Sequence, residues 1–514
     1  MSADTEKTFF RLSGALGGHT AALRDYPPKD FPSTIPENLM SHATAALLHR
    51  RQHRKARHTA KRQARCRARR RAAAACPSRG QAVLCELCKT IHHFFPNLFD
   101  QLRQLEDCRQ KSDYTLAEIL LAGILLFVFQ QGSRNAFNNQ RAEAKFRTHY
   151  ERLFKLRLPH LDTVHQVLCR LPEAELEQLK HTLVKTLLEK KVLHKYRLFG
   201  CWFVVAVDAT GVASFSERHC EQCLHRTSST GKTTYFHPVL EAKLITPSGL
   251  AISLATEWIA NPTGEYDKQD CERKAFARLA AQLKQQYPRL PLCLTADGLY
   301  PYQGFFEICR DSGWAFIITF KDGNLPTVWE DVQGLLPLTP AQCRHERRYH
   351  GSTVIDQRLR WVNHLAYGGH TLAWLESVET VTPAQGANPT QHRFVHLTNL
   401  TVTARTVATL SRTGRLRWKI ENEGFNTQKH LGYGLEHRYA RVSWQAAKNY
   451  YQCLQIGHLI NQLTILSTTF QTHLQGKMTC RHLWQCLLAF LLEGDLSPSL
   501  LDALRPRRIQ IRLL

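Results

Sequence analysis

The sequence predicts an α/β fold of the α+β kind: a mixed sheet with flanking helices, a β-rich insertion and an N-terminal helical region. Three observations carry this. Apolar residues recur at helical spacing from about 101 to 195. At 'LFGCWFVVAVDATG' the pattern changes to a β-branched and aromatic run, after which strand and helix patterns follow one another. From 326 to 408 short alternating runs separated by Gly, Pro and Asn replace both. With 514 residues the chain is too long for one core, so several structural units are expected.

Residues 1–100 read as a loose basic region containing Cys and His. The first 45 carry prolines without periodicity, and Arg50 to Arg71 hold twelve Lys/Arg and no acid. Like charges keep such a run from collapsing on itself; it suits either a DNA arm held by phosphate contacts or a solvated tail. Residues 101–195 read as a helical DNA-binding domain with basic faces. Ser112 or Asp113 would cap the helix holding Leu116 to Phe129, Asp162 would cap the next, and Pro172 would open a third. The apolar run 116–129 contains Glu118 and is too short to span a bilayer, so no membrane association is expected.

Residues 196–325 give strand, strand, strand, helix, strand, helix, strand, the first part of a sheet-based core. Residues 326–408 form the β-rich insertion, and 409–514 complete the core with helices. A net charge of +25 points to a polyanionic partner, nucleic acid first. Sixteen cysteines, with acids and no apolar stretch at the N-terminus, suit reduced thiols in a cytoplasmic protein.

Two acids end buried strand patterns: Asp208 in 'VVAVDATG' and Asp297 in 'LCLTADGLY'. A carboxylate at a strand end is held rigidly at the sheet edge where α/β sites form, although either could simply cap a turn. The third station is 'RWKIENEGFNTQKH', residues 417–430. On a regular helix Arg417 and Glu421 share a face, Glu423 points away and Trp418 lies elsewhere. Three acids gathered at one edge repel, so a carboxyl pKa there should be raised.

Together 'VDATG', 'LTADGLY' and 'RWKIE' resemble the three acidic stations of DDE transposases of the insertion-sequence type, in the branch with a Tyr-Arg-Glu-Lys signature. 'RHCEQC', 'GKTTYFH' and 'IENEGFN' add to the likeness, which covers roughly 199–439. The resemblance implies a ribonuclease H-like core whose metal-binding triad is Asp208, Asp297 and Glu421. It further implies Mg²⁺ or Mn²⁺, as two ions roughly 4 Å apart, and cleavage of DNA ends followed by joining of the 3′-OH to target DNA. The implied partners are double-stranded DNA, as terminal inverted repeats and target, and a second copy of the chain assembled on it. The implied setting is a prokaryotic, nucleoid-associated cytoplasm. Arg417, Lys429, Lys232 and Trp418 would contact DNA. Two positions depart from the family pattern. Gly414 stands where its Tyr falls, and Gln428 where its Lys falls, with Lys429 one place later. Eight residues turn a regular helix about 100° past the face that seven would reach, so either the helix is irregular or Lys429 acts differently.

Cys220 and Cys223 fit a zinc corner, with His219 and His237 as further ligands; a reduced loop is the alternative. 'CELCKTIHH' offers Cys85, Cys88, His92 and His93 without a partner pair. The same acids would also serve a nuclease without strand transfer, and the charge alone would serve a catalytically inactive DNA-binding descendant. No aromatic motif of an RNA-binding module is present.

Overall fold

Apolar periodicity organises the first part of the chain. The computed structural model describes residues 78–107, 109–265, 268–383, 388–474, 478–506 and 510–514, so the run from Arg50 to Arg71 lies outside the described residues. The helices before the first strand are α1 (Arg79–Phe94), α2 (Leu98–Gln104), α3 (Leu116–Val128), α4 (Arg134–Ala142), α5 (Ala144–Phe154), α6 (Leu161–Leu168) and α7 (Glu173–Glu189). All thirteen residues of α3 are buried, Glu118 included. Thr115, not Ser112 or Asp113, caps α3, and Glu118 returns the bond to the Thr115 backbone. The Arg157 guanidinium pairs with the same carboxylate at 2.9 Å. His160 caps α6, with Asp162 inside its first turn, and Pro172 precedes α7 as the sequence suggests.

The central part runs β1 (Phe203–Phe215), β2 (Leu224–Thr227), β3 (Thr233–Ile245), β4 (Ala251–Trp258), α8 (Glu272–Gln286), β5 (Leu292–Thr295), α9 (Gln303–Ser312) and β6 (Ala315–Thr319). Then come α10 (Pro326–Leu335), β7 (Cys343–His350), β8 (Thr353–Tyr367), β9 (His370–Thr382), β10 (Thr390–Thr398) and α11 (Val407–Arg415). A π-helix (Ile420–Asn426) leads into α12 (Thr427–His430), α13 (Trp444–Ile465), α14 (Thr468–Gln471), α15 (Cys480–Glu493) and α16 (Pro498–Leu504).

The strands pair into one mixed sheet in the order β2-β3-β1-β5-β6-β10-β9-β8-β7, with β4 also beside β3. β1, β5 and β6 are parallel neighbours, and α9 supplies the crossover that the parallel β5–β6 pair needs; the other pairings are antiparallel. Lys180 of α7 reaches Ser253 and Thr256, and the Tyr451 hydroxyl of α13 donates to Glu241. Arg278 of α8 reaches Glu257, whose side chain lies on the other face of β4. Helices therefore lie on both faces of β4.

Three domain expectations are corrected. Residues 79–94 are not loose, because one apolar stripe of α1 is buried and packs on α15. Residues 101–195 are not a separate domain, because α3 and α7 pack on α13. Gly457 allows that approach: a Cβ there would sit 2.8 Å from Phe127 Cβ. The insertion does not leave the core, because β10 pairs with β6 (His396 opposite Thr319) and β9, β8 and β7 continue the sheet. Pairing between strands this far apart in sequence leaves no local signal. Among the described residues no helix is long and apolar enough to cross a membrane.

Candidate active site

β-Branched runs place the first two acids. Ala206 of β1 lies opposite Thr295 of β5, and two residues further along each chain stand Asp208 and Asp297, at the same level of adjacent parallel strands. Asp208 is still within β1, and its Oδ1 accepts from the Ala209 amide at 3.0 Å. Asp297 begins the turn after β5, and its Oδ1 accepts from the Leu299 amide at 2.8 Å.

The segment after α11 tightens and then loosens. Leu416 and Lys419 donate to carbonyls three residues back (2.9 and 2.8 Å), and the π-helix starts at Ile420. A π turn holds one residue more than an α turn; the Thr427 hydroxyl accordingly reaches the Asn422 carbonyl, five residues back. Arg417 Nη1 donates to Asp208 Oδ2 at 3.1 Å. Burial pushes the Asp208 carboxyl up to about 6; Arg417 and the Ala209 amide oppose this, while the charges of Asp297 and Glu421 add to it. Glu423 parts from Glu421. It pairs with Lys419, and its Cγ lies 3.6 Å from where a Cβ on Gly249, in the β3–β4 turn, would be.

The extra residue of the π turn brings Lys429 back to the face that seven α-helical residues would give. Its ammonium pairs with Glu436 at 3.2 Å. Gln428 is buried instead, bonded to Gln455 and His458. Trp418 is 53% exposed, with the Arg417 guanidinium 4.4 Å from its ring centre. Lys232 is not gathered with the acids. It is exposed in the β2–β3 turn, nine residues along β3 from the partner of Asp208, about 30 Å at ~3.3 Å per residue.

Sequence reasoning missed two neighbours. Glu272, in the first turn of α8, accepts from the Tyr300 hydroxyl at 2.8 Å. Its carboxyl is raised, by burial first, against that hydrogen bond and with help from Asp208 and Asp297. Lys321 follows β6, and its stem lies over Gly298, where a Cβ would meet it at 2.7 Å. Lys321 follows the strand-end rule, which holds for Asp297 but not for Asp208, since β1 runs on past it to Phe215; Glu272 carries no such signal. Gly414 also has a local cause, because a Cβ there would lie 2.4 Å from the His396 ring. Burial, then Arg415 and Arg417, push that histidine down to about 4.

The three carboxylates share a field without forming a closed ligand shell. Among the described residues, the group that brings its ligand atoms within 4.8 Å of one another is His219, Cys220, Cys223 and His237. Cys85, Cys88, His92 and His93 lie along α1 and gather no such set. The acid edge, with Arg417 and Lys321 at its rim, has the charge pattern that holds hard cations and phosphate oxygens. Compared with protein-family models and with curated proteins, the chain matches none.

Proposed function

We propose that the chain is a DDE-type DNA transposase with a ribonuclease H-like core, which cuts transposon ends and joins their 3′-OH groups to target DNA. The observation that carries this reading is the meeting of Asp208, Asp297 and Glu421 in one electrostatic field, with Arg417 bonded to the first. Asp208, within β1, and Asp297, just past β5, stand level on adjacent parallel strands, and 'RWKIE' resembles the third acidic station of such transposases.

The donor set fits Mg²⁺ or Mn²⁺: three carboxylates, one of them lifted to about 6 and so favoured by added positive charge. Bound there, the cations supply Lewis-acid activation of the attacking oxygen and stabilisation of the leaving oxygen at phosphorus. Arg417 offsets the carboxylate charge and offers guanidinium N–H groups to a phosphate. Lys321 and Lys429 add point charges for the DNA backbone. Water attacks first and frees a 3′-OH; that hydroxyl then attacks the target phosphodiester, a transesterification that needs no ATP. The second copy of the chain, the duplex partners and the nucleoid setting belong to the same reading.

The test is incubation of the full chain with a supercoiled plasmid carrying the inverted repeats that flank its gene, with Mg²⁺ or excess chelator. Cleaved ends and joined products in Mg²⁺ alone are expected. Cleavage without joining of pre-cleaved ends would make the protein a nuclease. Binding without cleavage would make it a DNA-binding protein only.

A further inference from the structure

We propose that His219, Cys220, Cys223 and His237 hold a structural zinc ion that fastens the chain following the Glu421 segment to the far end of β1 and β3. The inference stands on its own geometry, whatever reaction the acids perform.

The four residues come from two places. β1 ends at Phe215, the following loop supplies His219, Cys220 and Cys223, and β3 supplies His237, which lies opposite Ala213. Cys220 Sγ and Cys223 Sγ are 3.7 Å apart. His237 Nε2 lies 3.4 Å from the first sulfur and 3.1 Å from the second. Zn–S bonds of ~2.3 Å and Zn–N bonds of ~2.0–2.1 Å at tetrahedral angles put two sulfurs about 3.8 Å apart and sulfur and nitrogen about 3.6 Å apart. Three edges of the tetrahedron are therefore nearly formed. His219 completes the set with all ligand atoms within 4.8 Å of one another.

His219 directly precedes Cys220, an awkward pairing unless the imidazole is turned and held. The structure holds it. Nε2 bonds the Arg441 carbonyl, and the ring stacks on Phe215 with centres 4.3 Å apart. Nδ1 is buried and has no hydrogen-bond partner among the described residues, which leaves it as the ligand atom. A ligand histidine that gives its other N–H to a carbonyl is the usual outer-shell arrangement. The His237 ring stacks on Trp444 at 3.8 Å, and the Arg438 guanidinium lies 5.6 Å from the Phe215 ring centre. Residues 438–444 thus wrap the cluster from outside. They run from the segment after α12 into the first residue of α13, so closing the cluster fixes where the chain goes after Glu421 and Lys429. Two thiols and two imidazoles suit zinc over the hard cations.

The test is elemental analysis of the full chain purified without chelator, alongside cobalt reconstitution and hydrogen exchange. One zinc per chain is expected. Cobalt should give a thiolate charge-transfer band and tetrahedral d–d bands. Cys220→Ser and Cys223→Ser together should remove the metal and raise exchange in 233–237 and 438–444. If that double variant does not fold, His219→Ala should still lower zinc affinity by about 10-fold or more, and the wild-type cobalt spectrum still decides. A metal-free wild type that gives no cobalt band, a Cys220–Cys223 disulfide found by mass spectrometry, or zinc retained in the double serine variant would overturn the proposal. Because no arm reads DNA cleavage, these outcomes are separate from the fate of the transposase reading.

Discussion

Asp208 is the side chain on which the charges of the site converge: a guanidinium at 3.1 Å, and the fields of Asp297 and Glu421. Asp208→Asn, Asp297→Asn and Glu421→Gln should each cut strand cleavage by about 10³-fold or more, the scale lost with groups that act at the transition state, while DNA binding persists. Glu423→Gln should keep substantial activity, because Glu423 is engaged by Lys419; a dead Glu423 variant beside an active Glu421 variant would overturn the assignment. Glu272→Gln should cost about 10–100-fold, as for groups that support metal ligands. If Asp208 holds the proposed cation, protons compete with it for a carboxyl pushed up to about 6. It is protonated below that pH and ionised above it, so metal affinity should rise with pH through about 6 and then level off. Calorimetric Mn²⁺ titrations about one unit either side of that value check the sign. The aspartates were legible because each directly follows or closes a run of buried apolar residues, although β1 itself continues past Asp208 to Phe215. Glu272 was not, since only the fold brings the start of α8 to β1 and β5.

At the scale of elements, the π-helix decides which side chains face the sheet. It sends Gln428 inward to Gln455 and His458, in a layer that also holds the buried Lys243, itself 2.6 Å from Gln455. Gln428→Ala would remove the acceptor that the buried Gln455 Nε2 amide bonds, Gln428 Oε1, and should destabilise the protein by about 1–3 kcal/mol in urea unfolding. A change within about 0.5 kcal/mol would place Gln428 outside any energetic role. The irregularity had one trace in sequence, the eight-residue spacing from Glu421 to Lys429. Periodicity does not distinguish a π turn from a shifted motif, and the 3₁₀-like tightening at Leu416–Ile420 left no trace. β1, β3, β4, β5 and β6 read clearly from β-branched runs. β10 read as a strand but not as the neighbour of β6, since alternation sets a face and never a partner.

For the whole molecule, helices before and after the sheet form one body. A fragment of residues 101–195 should therefore fail to unfold cooperatively, since α3 would expose surface that α13 covers. A sharp thermal transition for that fragment would restore it as a domain. The +25 charge is concentrated in part in the twelve basic residues from Arg50 to Arg71. Deleting residues 1–75 should flatten the dependence of log K on log salt for non-specific DNA, by about 0.9 for each phosphate the arm would otherwise neutralise; an unchanged slope would mark the arm as idle. Composition announced that charge from the start, whereas the merger of three expected domains into one body rests on packing between distant segments. The fit of α1 on α15 sets a clock. A Cβ on Gly80 would lie 2.1 Å from the Cys486 carbonyl oxygen, so the two helices fit each other closely. Yet nearly four hundred residues separate them in the chain. At ~5–20 residues per second on the ribosome, the apolar stripe of α1 waits roughly 20–80 s for its cover. Throughout its own synthesis each chain carries a sticky face, and crowded ribosomes on one message would hold many such faces close together.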